Sequence, residues 1–306
     1  MIKLSNGHKF EYMAASGALA FDGKGWLWEW PLRWAGLIKL GELTIVAKTV
    51  TFDPRQGNLR WWKPWSCVRL MGPDSAVNKV GLTNRGVYWW YERIGHKVRT
   101  EKISLVGSIY GTPSELIELT RIMNKCDLVG LEVNPSCPNT GHGFDPTEAT
   151  ISAVKAVCEI SRHPVIVKVS VAQDYLAIAY SLKGAVEAIS FNSVPWEILS
   201  SPGMWAKSPL WRLEKKVGGG GGGVSGQLAQ KFNWDAMRNI HSLCPDLPLI
   251  GSSVMSFGDV AKVRRNGASA ISFGTLFLRR PWMPARIIKQ DKQERRKNEI
   301  DHSTMV

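Results

Sequence analysis

The chain has 306 residues, 44% hydrophobic and 21% charged, which is ample material for a globular core. Its net charge of +13 is spread along the chain rather than packed into one tract, so it reads as a solvated surface before it reads as a site for a polyanion. No uncharged apolar run reaches the roughly 18 residues of a helical membrane span, and residues 1–10 lack the apolar stretch of a signal peptide. Cys67, Cys126, Cys137, Cys158 and Cys244 are odd in number and contain no CxxC pair, which argues against a disulfide framework or a zinc site and for reduced thiols in a cytoplasmic protein.

Short β-rich apolar runs recur in chain order at 12–15, 44–47, 103–106, 128–133, 165–167, 186–191, 247–250 and 268–273. Helical periodicity lies between many of them. Ser114 reads as the cap of a helix over 115–124, with Leu116, Leu119, Ile122 and Met123 on one face. Thr147 reads as the cap of 148–161, with Ile151, Val154, Val157 and Cys158 as its stripe. A short helix over 257–266 is closed by Gly267. Residues 1–10 read as a lead-in and 281–306 as a polar tail in which Arg295-Arg296-Lys297 form a solvated helix face. Nine of the 14 tryptophans crowd the first third, from Trp26 to Trp90, and read as bulky core and loop packing. Eight β-then-α units predict one domain over residues 1–306, a closed (β/α)8 TIM barrel. A doubly wound open sheet fits less well, because no GxGxxG follows the first strand.

Barrel enzymes place their chemistry just past the strand ends. Here those positions read Ser16-Gly17, Lys48-Thr49, Ser108, Asn134, Lys168, Asn192-Ser193, Gly251-Ser252 and Gly274-Thr275. The set suits an anionic, hydrogen-bonding ligand, since a lysine ending an apolar strand, as in Val165-Ile166-Val167-Lys168, is costly to desolvate without a negative partner. Two segments could receive a phosphate through backbone N–H groups: the glycine run 218–223 leading into Val224-Ser225-Gly226, and Ser272-Phe273-Gly274-Thr275.

Asn134-Pro135-Ser136-Cys137-Pro138-Asn139, after an apolar strand, resembles the fourth-strand motif of the dihydroorotate dehydrogenases. Ala15-Ser16-Gly17, Lys48-Thr49 through Gly57-Asn58, and Asn78-Lys79-Val80-Gly81-Leu82 resemble further motifs of that family in the same order, as do Lys168, Asn192-Ser193, Gly222-Gly223 and Gly274-Thr275. The resemblance runs from about residue 12 to residue 278. It implies oxidation of dihydroorotate to orotate in de novo pyrimidine (UMP) synthesis, with FMN as cofactor and no metal. Cys137 would be the base that takes the C5 proton, with Lys48 between flavin and substrate and Lys168 near the flavin N1/O2 edge. Lys48, Asn78, Gly81, Leu82, Asn134, Asn139, Asn192 and Ser193 would bind the substrate. FMN would contact Ala15, Ser16, Gly17, Lys48, Thr49, Ser108, Asn134, Lys168, Phe191, Gly222, Gly223, Gly251, Ser253, Val254, Gly274 and Thr275. The residue types agree with that chemistry, because amide side chains both donate and accept and so can read a ring of alternating N–H and C=O groups.

Where the family usually carries a Gly-Gly pair after the seventh strand, this chain has Ser253-Val254, and Val254 is expected to restrict the backbone at the phosphate. A cysteine base and no membrane-binding extension resemble the soluble class. Within it, the Lys48–Asn58 loop and the segment 222–226 are closer to the NAD-linked type 1B than to the fumarate-linked type 1A. Type 1B implies an iron–sulfur flavoprotein electron-transfer subunit as partner, around a homodimeric core. A tRNA dihydrouridine synthase is the rival enzyme reading, favoured by the basic charge and opposed by the lack of an evident RNA-binding helical domain. A non-catalytic FMN-binding homologue is the third reading, motivated by Ser253-Val254.

Overall fold

A computed structural model of the chain describes residues 1–60, 62–72, 74–135, 146–199, 207–213 and 220–303. Its strands are β1 (Ile2–Lys3), β2 (Lys9–Phe10), β3 (Tyr12–Ala14), β4 (Thr44–Val46), β5 (Val68–Met71), β6 (Ser75–Asn78), β7 (Leu105–Ile109), β8 (Gly130–Val133), β9 (Val165–Val169), β10 (Ala188–Phe191), β11 (Val194–Pro195), β12 (Gly223–Gly226), β13 (Leu249–Gly251) and β14 (Ala268–Phe273). Strands β3, β4, β7, β8, β9, β10, β13 and β14 pair in parallel in that order, and β14 closes on β3 to complete a barrel. These are the eight runs predicted from sequence, with ends displaced by a few residues, and helices lie between them as in a (β/α)8 barrel. The displacement puts Ser108, Lys168 and Gly251 inside their strands rather than just past them.

Alternation along the strands decides what fills the barrel. Val46, Val106, Ile166, Ala188, Ile250 and Ala270 form an apolar interior layer. Two residues further along the same chain segments, Lys48, Ser108, Lys168, Ser190, Ser252 and Ser272 stand on the same side, and β8 adds Glu132. The interior therefore changes from apolar to polar within one pleat, and the polar layer faces the C-terminal end of the strands.

Residues 1–10 are more than a lead-in. β1 and β2 form an antiparallel hairpin whose Ile2, Leu4 and Phe10 join the apolar layer and close the barrel's lower end. Ile2 and Leu4 are each 1% exposed, so each contributes about 1.5–3 kcal/mol by burial. The polar tail is likewise a helix, Met283–Ser303, with Ile287 and Ile288 buried. Arg295 does not sit on a purely solvated face. It grips the Glu11 carboxylate with two hydrogen bonds of 2.7 and 2.6 Å and donates to the Tyr12 hydroxyl. Asp291, on the same helix, accepts two hydrogen bonds from Arg264 and one from Tyr12.

The helix Pro113–Met123 buries the stripe expected of it, but its cap is Thr112, whose hydroxyl accepts from the Glu115 N–H, rather than Ser114. Pro113 explains the shift: it is well suited to the first helical position and moves the start two residues toward the N-terminus. In the helix Thr147–Ile160, Thr147 is the first helical residue and Pro146 the cap; Val154 and Val157 are buried, while Ile151 and Cys158 are half-buried. The helix Phe257–Arg265 begins at Ser256, which makes a reciprocal cap with Asp259.

Strands β5, β6, β12 and β11 form a separate antiparallel sheet absent from the sequence reading. Gly222, at φ +96°, lies so close to β6 that a Cβ would stand 2.6 Å from the Asn78 carbonyl oxygen, so glycine is required there for packing. The tryptophans expected to serve core and loop packing divide between the two. Trp90 is fully buried, whereas Trp28, Trp34, Trp62 and Trp65 are exposed. Among the described residues, no helix is long and apolar enough to cross a membrane.

Candidate active site

A cavity of about 340 Å³ opens over the polar end of the barrel. Its walls bring together Ala15, Ser16, Gly17, Lys48, Thr49, Asn78, Gly81, Leu82, Asn134, Lys168, Phe191, Asn192, Ser193, Ser253, Val254, Gly274 and Thr275, all of them site residues expected from sequence. Gly222 and Gly223 are not in the wall and serve the β6–β12 contact, with the Gly223 carbonyl accepting from Asn78 Nδ2 at 3.3 Å. Gly251 packs against Val263 and Ala268, and Ser108 stands behind the wall. Cys137 and Asn139 lie outside the described residues.

The floor is one connected network. Glu132, 1% exposed, accepts from Lys168 Nζ at 3.2 Å and Ser108 Oγ at 3.1 Å on one oxygen, and from Ser190 Oγ at 3.1 Å on the other. A carboxylate can only accept, so Ser108 spends its proton on Glu132 and takes the Thr49 hydroxyl at 2.8 Å. Asn134 Nδ2 stands 3.5 Å from Thr49 Oγ1, and Asn192 Nδ2 donates to Asn134 Oδ1 at 3.1 Å. The two asparagines thus reach the buried carboxylate through two hydroxyls. Leu131 and Val133 flank Glu132 in an apolar strand, and that isolated charge was the only signal in the sequence.

At the opposite end, Ser225, Gly226, Ser253, Val254, Gly274 and Thr275 converge. Thr275 starts the short helix Thr275–Arg279, and its hydroxyl lies 2.7 Å from Ser225 Oγ. The first N–H groups of a helix have no intrahelical partner and suit an anion. The backbone irregularity expected at Val254 belongs instead to Ser253, which has φ +64°. A residue other than glycine in this left-handed region costs about 1–2 kcal/mol. The turn is held from several sides. Gln230 Nε2 donates to the Ser253 carbonyl, and Asn233 Nδ2 donates to Ser252 Oγ at 3.1 Å and Ser253 Oγ at 3.3 Å. Asn233, which the sequence did not single out, is buried in the cavity wall with its Oδ1 unpaired among the described residues.

The roof is aromatic. Trp26 and Trp28 stack at 5.3 Å and line the cavity, and Trp26 Nε1 donates to the Gly17 carbonyl. Glu29, also in the wall, is 1% exposed; burial pushes its carboxyl up to about 7, while a hydrogen bond from the Trp26 N–H opposes the shift. Burial also pushes the thiols of Cys67, Cys126 and Cys158 up to about 11, which leaves them protonated and inert at neutral pH.

Comparison with known proteins agrees with this architecture. The family model for dihydroorotate dehydrogenase matches residues 29–294. A protein of Geobacter metallireducens named dihydroorotate dehydrogenase B (NAD(+)), catalytic subunit, is 28% identical over 302 residues, covering 95% of this chain and 90% of its own. A protein of the same name from Desulforudis audaxviator is 30% identical, covering 79% and 77%. One from Solibacter usitatus, provisionally named dihydroorotate dehydrogenase A (fumarate), is 28% identical, covering 91% and 87%. With a closed barrel, a polar cavity at the ends of its strands and a family match over most of its length, the chain belongs to the dihydroorotate dehydrogenase family of oxidoreductases.

Proposed function

We propose that the chain oxidises dihydroorotate to orotate with FMN held in the cavity over the barrel. The convergence of Lys48, Asn78, Asn134, Lys168 and Asn192 in one wall carries this reading. Two ammonium groups and three amides suit a carboxylate-bearing ring of alternating N–H and C=O groups.

The residues present also fit the cofactor. Ser225, Gly226, Ser253, Gly274 and Thr275 would hold its phosphate, Asn233 Oδ1 offers an acceptor to a ribityl hydroxyl, and Lys168 would face the pyrimidine edge of the flavin. FMN supplies a hydride acceptor when bound. Lys48 and the asparagines orient the dihydroorotate ring. Asn192 is fixed for this task, since its Oδ1 takes the Ser193 N–H at 2.9 Å while its Nδ2 is spent on Asn134. Cys137, which follows β8 in the sequence, would take the C5 proton as the C6 hydride departs, leaving orotate with a C5–C6 double bond. The relatives are named catalytic subunits, which supports a partner subunit; we expect that partner to be an iron–sulfur flavoprotein electron-transfer subunit, the catalytic core to be a homodimer and the location to be the cytoplasm. Reduction of the bound flavin by L-dihydroorotate under anaerobic conditions tests the reading.

A further inference from the structure

We infer that Glu132 is a positioning and charge-balancing residue that, through Lys168, sets the electron affinity of the flavin bound at this site; the inference rests on the flavin reading above. Glu132 is 1% exposed and stands in the interior of the barrel. Both its oxygens are occupied, by Lys168 Nζ, Ser108 Oγ and Ser190 Oγ at 3.1–3.2 Å. Stability does not call for such a group. The layer beneath it is wholly apolar, and a buried ion pair is commonly no more stabilising than well-packed hydrophobic residues of the same volume. What the carboxylate does accomplish is local. It holds the Lys168 ammonium in the cavity wall and offsets part of its charge there.

The direction of the effect follows from electrostatics. Reduced flavin and the adduct of sulfite with flavin N5 both carry more negative charge on the ring than oxidised flavin. An ammonium beside that ring favours them, and a carboxylate just behind the ammonium opposes them. Removing the negative charge while keeping the side chain should raise the affinity for electrons and for sulfite. Glu132→Gln does this with little rearrangement. The amide oxygen can keep facing Lys168 and Ser108, while the amide nitrogen donates to Ser190, whose hydroxyl can turn from donor to acceptor. The Thr49–Ser108 contact then remains, so the asparagines keep their footing.

The experiment uses the FMN-loaded protein and measures two quantities that do not depend on turnover. One is the sulfite dissociation constant, read from bleaching of the flavin band near about 450 nm. The other is the midpoint potential. Glu132→Gln is expected to tighten sulfite by about tenfold or more and to raise the potential, with tenfold in the reduction equilibrium equal to about 30 mV for a two-electron couple. Glu132→Asp, which draws the charge one methylene back from Lys168, serves if the glutamine variant does not fold, with a smaller shift in the same direction. In a Lys168→Met background the effect of Glu132→Gln should shrink, because the intermediary is gone. Unchanged sulfite affinity and potential in flavin-loaded Glu132→Gln would overturn the inference alone. A wild-type protein that takes up no FMN would overturn the flavin reading and the inference together.

Discussion

Cys137 is proposed as the base from the residues around it, because Ser136, Pro138 and the flanking Asn134 and Asn139 form a motif local in sequence. Its replacement by alanine should leave FMN bound and slow flavin reduction by dihydroorotate by roughly 100-fold or more, the scale of a lost general base. Stopped-flow traces that match wild type at neutral pH would remove Cys137 from that role. Glu132 was missed for the opposite reason. Its meaning depends on Lys168 and Ser190, which reach it only when the barrel closes. Glu29 was missed likewise, since its burial in the folded chain gives it its character. Its carboxyl keeps a proton up to about pH 7 when folded, against 4.5 for the ordinary group. Folding therefore gains from Glu29 below about pH 4.5, and that gain is lost as pH rises through about 7. Glu29→Gln should remove this dependence, so its melting temperature relative to wild type should rise from pH 5 to pH 8. A constant difference across that range would contradict the assignment.

At the scale of elements, the barrel strands and the helices between them were legible because burial imposes periods of 2 and 3.6 residues. The sheet of β5, β6, β11 and β12 was not, since its strands have only two to four residues each and lie among tryptophans and glycines. The terminal segments were misread because neither pattern reveals a tertiary partner. Hence Arg295→Ala should cost about 1–2 kcal/mol through its hydrogen bonds to Glu11, after allowance for partial exposure. Arg296→Ala, on the exposed side, should stay within about 0.5 kcal/mol. Equal losses in denaturant unfolding would mean that the helix is not pinned through Arg295. The turn at 253–254 also changes an expectation. Val254 is 1% exposed and does not have the left-handed backbone, so Val254→Gly should lower stability by about 2–3 kcal/mol through lost packing. It should not tighten FMN. Tighter FMN with an unchanged melting temperature would return the strain to Val254.

For the molecule as a whole, chain order gave the architecture, because a β-then-α repeat with polar residues at every strand end has few other solutions. The end of the barrel that carries the site was legible for the same reason, whereas the floor network became visible only with the interior layers in register. A net charge of +13 matches an anionic ligand pair without identifying one, and the wall that gathers two lysines and three asparagines narrows the class. The most direct test is anaerobic addition of L-dihydroorotate to the FMN-loaded protein while the visible spectrum is recorded. The account predicts that the flavin band near about 450 nm bleaches and that one orotate forms per flavin reduced. A yellow protein whose band persists at saturating dihydroorotate would contradict it.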